Sequence, residues 1–213
     1  MLQILLASGN PKKLIELQNI LERYSLPIRV LAPADLNLDP DHLKTEDGES
    51  ISLEENGSSF AENAFIKASG FHRVTGLPCL SDDSGLCVDA LNGDPGIYSA
   101  RYGGAELSDP ERNLLLLENL NQFQDPVSRK AHFACVLCLV GFEKEGPQYF
   151  EGTVQGHIAT ESAGQGGFGY DPVFIEESTG EYFAKMSPEE KSSLSHRGKA
   201  MHALAAFLES RFN

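Results

Sequence analysis

The chain opens on an apolar run, Gln3 to Ser8, that stops at Gly9-Asn10-Pro11. From Pro11 the apolar residues change period and recur at Leu14, Leu17, Leu21 and Tyr24. That pattern predicts a strand, a glycine-containing turn and a helix with proline in its first turn. Ile28–Leu31 predicts a second short strand. Ala32 to Gly57 is polar, acidic and without period, and is expected to form a loop or lid, long for a compact domain. Ser58 or Ser59 can cap a helix running to about Val74, with Phe60, Ala64, Ala68 and Phe71 buried.

Two short strands are expected around Cys79–Ser81 and Leu86–Asp89, followed by a turn cluster at Asn92–Gly96. Ser108 and Glu111 are spaced as a capping box at the head of "SDPERNLLLLENL". "KAHFACVLCLVGF" and "PQYFEGTVQGHI" read as paired strands joined through Glu143–Gly146, and "GQGGFGYDPVF" as a loop entering a strand near Val173–Ile175. Ser187-Pro188-Glu189-Glu190 opens a last helical region, interrupted at Gly198 and resumed through Ala200, Leu204 and Leu208. With no repeat and no separating linker, this is a mixed α/β fold, one domain or two lobes around a cleft.

Composition narrows the partners. An apolar content of 41% in 213 residues supplies a real core and excludes global disorder. The net charge of −14 argues against long nucleic acid, whose affinity comes from Lys and Arg on phosphates. A small anion remains admissible where lysines or a metal are focused locally. The longest mainly apolar run, Phe133 to Phe142, is too short to span a bilayer, and Met1 leads into no basic or cleavable leader. A cytoplasmic location is therefore expected. Cys135 and Cys138 form a C-x-x-C, but on a buried strand residues three apart face opposite sides, so all four cysteines are expected to be reduced core thiols.

Four segments hold the polar groups that are hardest to explain as surface. In "SGNPKK", Ser8 to Lys13, a hydroxyl, two lysines and a helix N-terminus make a phosphate cradle without Walker A spacing. In "FAENAFIKA", Asn63 and Lys67 share a helical face beside Glu62, so that Glu62 can help hold a cation and Lys67 can meet a phosphate. Asp82-Asp83-Ser84-Gly85 places two adjacent carboxylates at a strand end, where an Asp can ligate Mg²⁺ or orient a water molecule. In "GGFGYDP" and "KSSLSHRG" the glycines let backbone approach a planar ligand, and the rings of Phe168 and Tyr170 can stack on a base. His196 and Arg197 can donate to a carbonyl oxygen there, and Lys191 supplies charge. Each segment alone reads as well as a solvated turn or helix face. Together they suit a nucleoside triphosphate with Mg²⁺.

The same residues make the chain resemble the inosine triphosphate pyrophosphatases, which act on non-canonical purine nucleoside triphosphates. The resemblance is carried by Ser8-Gly9-Asn10 with Lys13, by Phe60-Ala61-Glu62-Asn63-Ala64 with Lys67, and by "DDSGLCVDALNGDPGIYSARYGG". "GGFGYDPVF" and "EEKSSLSHRGKAM" complete it, in the family's order and nearly end to end. It implies one pyrophosphatase domain over residues 1–213, with an elongated mixed sheet flanked by helices and two lobes around an active-site cleft. The implied reaction is Mg²⁺-assisted hydrolysis of ITP, dITP and XTP to the monophosphate and pyrophosphate. Ser8, Gly9, Asn10, Pro11, Lys12 and Lys13 would bind the triphosphate. Asp83 would accept the water proton and ligate the metal, with Glu62 and Asp82 as neighbouring metal carboxylates. Ser84, Lys67 and Lys191 would touch substrate, and Phe168, Gly169, Tyr170 and Asp171 with His196 and Arg197 would form the base pocket. A homodimer is also implied. Two departures stand out: Ser8 replaces the more usual Thr, and the acidic segment from about Asp35 to Gly57 is longer than the usual connection.

Overall fold

The computed structural model describes residues 2–144 and 146–212. Six strands hydrogen-bond in the order β2-β1-β3-β4-β5-β6: β1 Leu2–Leu6, β2 Ile28–Leu31, β3 Cys79–Val88, β4 Lys130–Val140, β5 Gln148–Ile158 and β6 Phe174–Glu176. β1 runs parallel to β2 and to β3, and β6 is antiparallel to β5, so the sheet is mixed as expected. The helices are α1 Pro11–Arg23, α2 Phe60–Thr75, α3 Asp109–Asn119, α4 Pro188–Leu194 and α5 His196–Phe212. Among the described residues no helix is long and apolar enough to cross a membrane. Contacts divide the chain into two compact units, one of residues 1–83, 136–151 and 200–213, the other of residues 84–135 and 152–199.

In the first unit α1 buries Leu17 and Leu21 of the predicted face together with Ile20, while Leu14 and Tyr24 are half-buried. α2 is capped by Ser59, whose hydroxyl accepts from the Glu62 N–H, and buries Ala64, Ala68 and Phe71. The segment after β2 is not a bare loop. It makes single helical turns at Pro33–Leu36 and Pro40–His42, a bridge between Lys44 and Ser50, and packs Leu43, Ile51 and Leu53 around Phe71. Those apolar residues are scattered without period, because they dock on α2 rather than line an element of their own.

The second unit packs Leu86, Val88, Leu116, Leu120, Phe133, Val154, Val173, Phe174 and Phe183 into one cluster. Ser108 and Glu111 form the expected capping box on α3.

Two expectations are corrected. Cys79 to Val88 is one strand, not two, so Asp82 and Asp83 lie mid-strand rather than at a strand end. The final helical break falls at Ser195, extended at φ −66°, ψ 154°, and not at Gly198. Ser195 Oγ accepts the Gly198 N–H at 3.0 Å and so starts α5. Glycine is needed there for another reason, since a Cβ at Gly198 would stand 1.8 Å from the Ser192 carbonyl oxygen. The joint proposed through Glu143–Gly146 includes Glu145, which lies outside the described residues. Among the described residues no cysteine is in a disulfide, and Cys79, Cys135 and Cys138 are buried. Burial pushes the Cys79 and Cys138 thiols up to about 11, which makes them core groups rather than nucleophiles.

Candidate active site

Three polar side chains of the first unit, Lys13, Asn63 and Lys67, converge on Asp82 and Asp83 in the middle of β3. Asn10 caps α1, its Oδ1 accepting from the Lys12 N–H at 2.9 Å, while Ser8 Oγ accepts from the Asn10 N–H at 3.2 Å. Ser8, Gly9, Asn10, Pro11 and Lys12 thus form a turn closed on its own backbone. Lys13 reaches out of α1 to Asp82 Oδ1 at 2.8 Å. Asp82 is only 4% exposed, and an ionised carboxylate that deep needs such a partner.

α2 supplies the other side of the strand. Asn63 is fully buried; its Oδ1 accepts from the Gly57 N–H at 2.9 Å and its Nδ2 donates to Asp83 Oδ2 at 3.1 Å. One turn on, Lys67 Nζ donates to the Asp82 carbonyl at 2.6 Å and to Glu55 Oε1 at 2.5 Å. Glu62 folds back on Ser58, accepting from its N–H at 2.6 Å and its hydroxyl at 2.8 Å. Those two bonds hold its carboxyl below the ordinary glutamate value.

In these bonds Asp82 meets Lys13 and Asp83 meets Asn63, in keeping with successive side chains on a strand pointing to opposite faces. Among the described residues no three His, Cys, Asp or Glu groups converge as a ready metal cage. The donors are nonetheless of the kind Mg²⁺ takes: hard carboxylate oxygens, of which one or two suffice when water and substrate phosphates complete the shell. Asp83 and Glu62 fit that arrangement, with Asp82 already engaged by Lys13.

The second unit carries the candidate base-recognition set. Arg197 Nη2 donates to Ser84 Oγ at 3.3 Å. Phe168 is 55% exposed, with Lys191 Nζ 4.5 Å and the Arg197 guanidinium 5.7 Å from its ring centre. Asp171 is buried, accepts from the Phe168 N–H at 2.8 Å and pairs with Lys191. Gly167, at φ 78°, lets this carboxylate close, since a Cβ there would meet Asp171 Oδ2 at 2.0 Å. His196 is buried and stacks on Phe133, ring centres 4.9 Å apart and planes within 10°.

Of the two candidate stacking rings, only Phe168 is exposed. Tyr170 belongs to the core, its hydroxyl donating to the Ser99 carbonyl at 2.9 Å and its pKa raised by burial. Glu55 on Lys67, and Asp109 and Asn113 on the Gly169 backbone, escaped the sequence reading. Their partners lie far away in sequence. The one local sign was the polar Asp109–Asn113 pair, one turn apart beside the apolar positions of α3.

The mixed sheet with flanking helices defines an α/β protein, with a carboxylate and lysine cluster in its first unit and an aromatic–cation set in its second. The chain belongs to the Ham1 family, which residues 4–207 match. It is 44% identical over 205 residues, 96% of this chain and 93% of the relative, to a dITP/XTP pyrophosphatase of Erwinia tasmaniensis. A HAM1 protein from Coxiella burnetii superposes with a TM-score of 0.86 at 40% identity, covering 99% of this chain and 100% of that one. The Ham1 protein of Staphylococcus aureus gives 0.83 at 37% identity over 98% and 99%. The resemblance read from the motifs is borne out, and so is the α/β mixed-sheet fold.

Proposed function

We propose that this Ham1-family nucleoside triphosphate pyrophosphatase hydrolyses dITP, ITP and XTP to the monophosphate and pyrophosphate, with Mg²⁺, and so clears them from the nucleotide pool. The observation that carries the reading is the cluster on β3: Lys13 and Lys67 beside Asp82, and Asn63 holding Asp83. Asn63 fixes one oxygen of Asp83, which leaves this carboxylate positioned to accept the proton of a water attacking the α-phosphorus. Lys13, Lys67 and the Ser8–Lys12 turn neutralise and orient the triphosphate, which a protein of charge −14 would otherwise repel. Bound Mg²⁺, held by Asp83 and Glu62 with Asp82 beside them, would offset charge on the departing pyrophosphate.

Phe168 stacks on the base, Gly169, Tyr170 and Asp171 hold that ring in place, and Lys191 and Ser84 support the nucleotide. His196 and Arg197 meet the 6-oxo group. Adenine presents a donor where hypoxanthine and xanthine present an acceptor, and an unmet contact of that kind costs roughly 1–3 kcal/mol. Guanine shares the 6-oxo group, so this contact does not separate it. The enzyme works in the cytoplasm as a homodimer, a state that light scattering on the purified protein checks.

The experiment gives the protein ITP, dITP, XTP, GTP and ATP, with and without Mg²⁺, and assays pyrophosphate and orthophosphate separately. Metal-dependent pyrophosphate from the first three is expected. Orthophosphate would mean attack at the γ-phosphorus, and tight binding without product would mean a nucleotide sensor.

A further inference from the structure

The loop that bears Phe168 is rich in glycine, at positions 164, 166, 167 and 169, and such a stretch does not hold one conformation unaided. Its order has to come from outside. Asp171 takes the Phe168 N–H. The Phe168 carbonyl accepts from the Asp171 N–H at 3.2 Å, and the two backbone groups of Gly169 are both taken by α3. The Gly169 N–H donates to Asp109 Oδ2 at 2.8 Å, and the Gly169 carbonyl accepts from Asn113 Nδ2 at 3.0 Å. Asp109 and Asn113 stand four residues apart, so one face of α3 offers an acceptor and a donor at the spacing of one turn.

Asn113 is placed there at some cost. It is 4% exposed, and its Oδ1 is a buried acceptor with no hydrogen-bond partner. A leucine at a buried position next to Leu116 would avoid that penalty, so the amide is retained for the bond that Nδ2 makes. Asp109, at the first position of α3, also has a helix-dipole role that any acid would fill. The second, long-range contact singles it out.

We infer that Asp109 and Asn113 are positioning residues for base recognition, clamping the two peptide groups on either side of Gly169 so that the exposed Phe168 ring keeps its orientation against Lys191 and Arg197. The inference rests on the stacking role proposed for Phe168, and it gives α3 a part in specificity that its capping and packing do not.

The test compares Asp109→Ala, Asp109→Asn, Asn113→Leu and Phe168→Ala for thermal stability and for kcat and KM on ITP and ATP. Asp109→Ala and Asn113→Leu are expected to raise KM for ITP more than they lower kcat, and to cut the ITP-over-ATP preference about tenfold. Asp109→Asn keeps an oxygen acceptor for the Gly169 N–H and is expected to recover most of that preference, which a purely structural or charge role would not predict. A second readout needs no turnover. The chain has no tryptophan, so Phe168→Trp supplies a single indole. Its fluorescence anisotropy should fall when Asp109→Ala is added and hold when Asp109→Asn is added. Unchanged anisotropy overturns the clamp. So does an unchanged KM and base preference in the α3 variants when Phe168→Ala loses both. If Phe168→Ala also keeps both, the stacking role itself fails, and the clamp's function fails with it.

Discussion

Asp82 and Asp83 are chemically identical neighbours with different surroundings, and the difference supports the separate roles proposed for them. Asp82 is buried and ion-paired to Lys13, and its carbonyl holds Lys67, so it organises the lysines. Asp83 is half-buried and accepts from the Asn63 amide, which fixes the position of one of its oxygens. The general base proposed here needs that fixed geometry. Asp83→Asn keeps the shape and an oxygen for the Asn63 bond, so the fold is expected to stay intact while turnover falls about 10²- to 10⁴-fold. Steady-state rates beside a thermal melt check this, and near-normal turnover would remove Asp83 from the role of base. The carboxylates and lysines themselves were legible in the sequence, because their types and spacing are local facts. Which carboxylate each lysine engages was not, since Lys13 and Asp82 lie 69 residues apart.

Elements with their own period or caps were read close to their observed bounds. α1 begins at Pro11, α3 begins behind the Ser108–Glu111 box, and Ile28–Leu31 is the strand expected. β3 was broken in two because Ser-Asp-Asp-Ser-Gly has poor strand propensity, and only pairing in the sheet and donors from α2 keep it extended. The α4–α5 joint was misplaced for a related reason: glycine usually ends a helix, but Gly198 lies inside one. Two effects then compete in Gly198→Ala. Alanine favours the helix by about 0.5–1 kcal/mol, whereas its Cβ would stand 1.8 Å from the Ser192 carbonyl oxygen. Backbone cannot yield as a flexible side chain can, so the clash wins, and a net loss of about 1–3 kcal/mol is expected. Urea denaturation measures it, and a variant as stable as the parent would show that α4 and α5 do not approach so closely.

At the scale of the whole molecule the excess of acid, 31 carboxylates against 17 Lys and Arg, opposes compaction at neutral pH, yet many of those carboxylates hold structure together. Glu62, Glu111 and Glu190 each accept from the backbone N–H and hydroxyl of a serine at a helix start, which lowers their pKa below 4.5. At Glu176 burial pushes the value up, but bonds from Ser178 and Thr179 outweigh it and the net direction is again down. A folded-state value below the unfolded one means that the unfolded chain binds protons first as pH falls. The stabilisation is therefore fully present above about pH 4.5 and is lost as pH drops through the lower folded-state values. Acidification from pH 7 first relieves the mutual repulsion of the acid excess and then removes these bonds. The urea midpoint is expected to hold or rise slightly from pH 7 to about 5 and to fall steeply below about 4.5. Glu176→Gln, which cannot lose a charge, should lower the plateau and make the acid fall shallower. A midpoint that stays level from pH 5 to 3 would mean that these serine–carboxylate bonds do not stabilise the fold through their charge.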